Sequence, residues 1–89
     1  MDYYTAISTV AATKNDADTV KFRRRVARRS PEDNPRLWAA MEHNTAHRYE
    51  RKTGNEIYAG FDWASILDWL KANWKTIVSV LLSLLMAFI

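Results

Sequence analysis

The sequence predicts an all-α chain. Two short helices precede one long C-terminal helix that runs from amphipathic to apolar, in a non-compact arrangement ordered by assembly. Three observations carry this expectation. Both prolines, Pro31 and Pro35, fall in one break, "RRSPEDNP", and both glycines, Gly54 and Gly60, bound one connector, "GNEIYAG". Residues able to cap free helix amides stand ahead of each predicted helix. After Lys75 the last fourteen residues carry no charged side chain, and an 89-residue chain has little surface with which to cover so apolar a helix.

Taken in order, residues 1–15 show no strong period. Tyr3, Tyr4, Ile7 and Val10 fit one short helical face or part of a strand. Residues 16–60 form a polar, basic helical region. Its first helix spans 16–29, with Asn15 or Asp16 as cap and Asp18 near the positive end of the helix dipole. Its second begins at Pro35 behind Asn34 and stops at Gly54. Leu37, Trp38, Met41, Thr45 and Tyr49 give that helix a narrow apolar stripe, enough for one packing partner.

The third region, 61–89, opens with Phe61, Asp62 and Ile66 at the N′, N-cap and N4 positions of a hydrophobic staple. No glycine or proline interrupts it afterwards, so one helix of roughly 40 Å is expected at ~1.5 Å per residue. Its first half, "DWASILDWLKANWK", is amphipathic and its second half apolar nearly all round. The uncharged run covers about 21 Å of a ~30 Å hydrocarbon core. Trp63, Trp69 and Trp74, with Lys71 and Lys75, are expected at a membrane interface, where indoles sit and lysines snorkel. Ala72, Thr76, Ser79, Ser83 and Ala87 form a small-residue stripe suited to helix–helix contact; as an alternative, its hydroxyls mark the wet side of an amphipathic helix.

Charge is unevenly placed. The net charge is +3, and "KFRRRVARR" carries six of the thirteen basic residues. Lys21, Arg23, Arg24, Arg25, Arg28 and Arg29 are therefore the candidate phosphate contacts, to lipid headgroups or to nucleic acid, with a solvated face as the plain alternative. Arginine favours bidentate contact with phosphate. There is no cysteine, which removes thiolate zinc sites and thiol nucleophiles. His43 and His47 stand four apart without the glutamate that a zinc-protease helix places after the first histidine. Glu42, Glu50, Glu56 and Asp62 are scattered, and no phosphate loop or nucleophile elbow is present, so neither an enzyme nor a metal or cofactor protein is expected.

The layout, a basic half followed by an apolar terminal helix, resembles that of small membrane-associated bacteriophage virion proteins. It is similar also to the lysis proteins of small RNA phages, which carry a Leu-Ser pair in their apolar segment; here "LLSLL" supplies Leu82 and Ser83. The helix caps and placed prolines favour the first group. The resemblance implies a non-enzymatic structural protein, a virion component, anchored by its C-terminal helix in a membrane or an oligomeric helical bundle. Its partners would be lipid or other protein chains, with nucleic acid as a further candidate. The expected location is a membrane, within a virion, with the basic segment on the cytoplasmic or interior side. Two alternatives accompany it: a membrane-permeabilising lysis protein, holin or toxin, and a soluble adaptor docking its terminal helix on a partner.

Overall fold

A computed structural model describes residues 2–55 and 62–88. All regular structure among them is helical: α1 (Tyr3–Ala12), α2 (Ala17–Val26), α3 (Pro35–Thr53), α4 (Trp63–Ala72) and α5 (Trp74–Ala87). Three helices begin on a carboxylate. Asp2 accepts from the Thr5 amide at 2.8 Å, Asp16 from Thr19 at 2.9 Å and Asp62 from Ser65 at 3.5 Å, so each satisfies an amide that lacks an intrahelical partner. Asn34 makes no side-chain cap; there Pro35 at the first helical position needs none for its own missing N–H. Gly54 ends α3 in the left-handed region at φ 74°, and its amide bonds the Glu50 carbonyl. Phe61, the outer half of the expected staple, lies outside the described residues, as does most of the "GNEIYAG" connector.

One open alternative is resolved and one expectation is corrected. The N-terminal segment is a helix and a main part of the core: Tyr3, Ala6, Ile7, Val10 and Ala11 are all buried. Alanine contributes to that face, which is why a count of large apolar residues misses its period. The long C-terminal helix is two helices, α4 and α5, bent by 97° at Asn73. The Asn73 amide and its side-chain Nδ2 both donate to the Trp69 carbonyl, at 3.0 and 2.9 Å. A side chain that competes for ladder bonds in this way weakens a helix from within. Asn73 then accepts from Ile77 and starts α5. The bend is what lets Leu70 on α4 and Trp74 on α5 enter the same core.

The chain is also compact, not extended. Its radius of gyration is 12.3 Å, against ~12 Å expected for a folded chain of this length. One hydrophobic cluster draws on all five helices. The α5 side chains Ile77, Val78, Leu81 and Leu85 are buried within it, with α2 and α3 packed against that helix. The buried face of α5 therefore finds its cover within the chain, not outside it as expected. No single neighbour is strongly apolar, but Phe22 and Val26 of α2, the α3 stripe and α1 together suffice. Among the described residues no single helix is long and apolar enough to cross a membrane; α4 and α5 meet that composition only as a bent pair.

The tryptophans join the two halves of the chain by edge-on or tilted ring contacts. Trp63 packs on Tyr3 of α1 at 5.5 Å, Trp69 on Tyr49 of α3 at 5.5 Å and Trp74 on Phe22 of α2 at 5.6 Å. Such pairs contribute ~0.5–1.5 kcal/mol each beyond the area they bury. Trp74 is buried, and its indole N–H donates to Thr19 Oγ1 at 3.0 Å. Trp63 and Trp69 are half-buried, whereas Lys71 and Lys75 are exposed.

Candidate functional site

Helix α2 carries Lys21, Arg24 and Arg25, the last two three and four residues beyond the first and so on one face, and Arg28 follows in the turn after the helix ends at Val26. The opposite face holds Thr19, Phe22 and Val26, buried against α1 and α5. Burying that face forces the cations outward together. Lys21, Arg24, Arg25, Arg28 and Arg29 line a groove of about 690 Å³, joined by Asn34 ahead of α3 and Phe88 at the end of α5. No carboxylate stands among the described residues that line it.

Two bonds shape this groove. Arg29 Nη1 donates to the Arg25 carbonyl at 3.2 Å, which folds the side chain back over the end of α2. Trp38 Nε1 donates to the Arg29 carbonyl at 2.7 Å, which ties the turn after α2 to the α3 core. Phe88 is large, apolar and 46% exposed. It lies on the groove because α5 packs against α2: Trp74 at one end of α5 meets Thr19 and Phe22, and Phe88 reaches the arginines at the other.

Of the six candidate phosphate contacts, the structure brings five together. Arg23 lies elsewhere. Its Nη1 donates to the carbonyls of Ala11 and Lys14, both at 3.1 Å, at the C-terminal end of α1. A cation there satisfies free carbonyls and meets the negative end of the helix dipole. Sequence reasoning missed Asn34, read only as a cap, and Phe88, whose distance along the chain carried no signal of its place.

The stripe Ala72, Thr76, Ser79, Ser83 and Ala87 is exposed along α4 and α5. Ser79 and Ser83 each return their hydroxyl to the carbonyl four residues back, at 3.3 and 3.2 Å. His43 and His47 are exposed on α3, and among the described residues no group of three or more His, Cys, Asp or Glu side chains is placed to hold a metal ion. No protein-family model matches the chain, and no curated protein or solved structure matches it either.

Proposed function

We propose that this is a small non-enzymatic structural protein that docks through the α2 groove on a nucleic-acid phosphate backbone. The observation that carries the reading is the set of five cations in one concave groove, with no carboxylate among the described residues that line it. Four of the five are arginines, whose planar forks match phosphate oxygens two at a time. A groove accepts a strand, whereas a bilayer surface is flat. Phe88 offers a ring on which a base could stack, the second element of single-strand binding. The setting within a phage particle rests on the likeness of layout alone. Anchoring in a membrane, or permeabilising one, would require the globule to open, because Leu81 and Leu85 face the core with no exposed surface.

The test is fluorescence anisotropy of a labelled single-stranded oligonucleotide with the full chain across a salt series. Five phosphate contacts predict a log–log salt slope of about −3.5, or roughly a hundredfold loss of affinity between about 50 and 200 mM salt. Arg24→Ala and Arg28→Ala should each flatten the slope by about 0.7. A wild-type slope shallower than about −1, or variants that bind as wild type does, would defeat the proposal. Flotation with anionic vesicles, in the absence of nucleic-acid binding, would move the same groove to lipid headgroups.

A further inference from the structure

A second cavity, of about 170 Å³, lies among Asp2, Tyr3, Tyr4, Pro31, Trp38 and Glu42. Its character is the reverse of the groove's. Three aromatic rings and two carboxylates line it, with no basic side chain among the described residues there. The rings stand at steep angles to one another. Tyr4 meets Trp38 at 5.0 Å and 63°, and Tyr3 meets Trp38 at 6.1 Å and 70°. The rings pack edge to face, with Trp38 and Tyr3 buried and Tyr4 alone substantially exposed.

Two of the rings are fixed before any ligand arrives. The Tyr3 hydroxyl lies 3.2 Å from the Met41 carbonyl, to which it donates, and 2.7 Å from Thr45 Oγ1. Trp38 is held through its indole N–H on the Arg29 carbonyl. Tyr4, 37% exposed, forms the open wall. Asp2 gives one carboxylate oxygen to the Thr5 amide. Glu42 is half-buried, and its carboxyl is pushed up first by burial and then by the charge of Asp2. The two carboxylates thus repel across a small aromatic space.

Neutral apolar ligands suit this space poorly, since they would strip water from two charges and return nothing. A bare metal ion would find two carboxylates and no histidine or third carboxylate among the described residues that line the cavity. A bulky, weakly hydrated cation satisfies both features, because ring faces attract it through their quadrupole and the carboxylates through its charge. We infer that this cavity binds a small quaternary ammonium group of the choline type against the exposed ring of Tyr4, beside Trp38, with Glu42 and Asp2 as counter-charges. The site is separate from the phosphate groove, so it stands or falls independently of the function proposed above.

The test uses the full chain, isotopically labelled, with choline as probe and its neutral carbon isostere, of the same shape without the charge, as control. Binding is followed at the Trp38 indole N–H by NMR. Choline should shift that resonance saturably, and the isostere should not. Tyr4→Ala removes an exposed ring and should weaken choline roughly 2- to 30-fold, from the range measured for cation–π contacts. Glu42→Gln should weaken it as well, and Arg24→Ala should leave it unchanged. Equal binding of the isostere, no shift at Trp38 up to saturating choline, or wild-type affinity in both Tyr4→Ala and Glu42→Gln would each overturn the inference. The comparison of choline with its isostere needs no variant to fold.

Discussion

Replacing Thr19 with valine tests whether α5 belongs to the core. Thr19 has no exposed surface, and its hydroxyl serves two partners. It accepts from Trp74 Nε1 at 3.0 Å, across fifty-five positions of sequence, and donates to Asp16 Oδ2 at 2.8 Å. Valine has the same shape and nearly the same helix propensity, so packing and local preference hardly change. What changes is that a buried indole N–H loses its acceptor. Orphaning a buried donor costs about 1–3 kcal/mol. In a domain of this size each kcal/mol lowers Tm by roughly 4–8 °C, so thermal unfolding followed by circular dichroism should fall by about 5–20 °C. The cap survives, because the Thr19 amide still reaches Asp16 Oδ1 at 2.9 Å. A double-mutant cycle with Trp74→Phe isolates the pair, and a coupling of about 1 kcal/mol or more is expected. If Thr19→Val costs less than about 0.5 kcal/mol, as a surface change would, Trp74 is not in the core and the packing of α5 described above is wrong.

Glu42→Gln should stabilise the protein at neutral pH by up to about 1 kcal/mol, since Glu42 is only half-buried and water screens part of the effect. Its carboxyl is raised in the folded state, so the charged form costs stability above that raised value; the gain from glutamine should fade as pH falls through it and vanish below the ordinary 4.5. Urea titrations at several pH values read this directly, and a gain that persists in acid would contradict it. Gly54→Ala should cost about 1 kcal/mol from backbone conformation alone, because φ is 74° and a Cβ there would meet nothing within 4 Å. Gly54→Asn should cost less. On α5, Leu85→Asp buries an unpaired charge and should unfold the chain, while Ser83→Ala, at an exposed position, should stay within about 0.5 kcal/mol. A helix packed on a partner through its serine stripe would reverse that order.

Much of the local structure is legible in the sequence, and α3 shows why. Proline at its start, glycine at its end and five buried positions between them are all written in adjacent residues. The carboxylate caps at Asp16 and Asp62 are legible for the same reason: each amide they satisfy is three residues away. The basic groove is half-legible. The run "KFRRRVARR" marks the cations, but nothing local shows that Arg23 turns back to α1 or that Phe88 closes the groove. Asn73 is the instructive miss. An asparagine inside a helix is tolerated or not according to whether bending there gains something, and here the gain is the burial of Leu70 and Trp74 on both sides of the bend.

The sequence alone determined that most of the described chain is helical, where α2, α3 and α4 start, and that its charge collects at one place. The tertiary structure decided what the apolar C-terminal helix is for. An apolar stripe is a property of neighbouring residues, but its cover is a sum over the whole chain. Modest faces from α2, α3 and α4 meet α5, α1 completes the same cluster behind α2 and α4, and together they form the hydrophobic neighbour that none of them resembles alone.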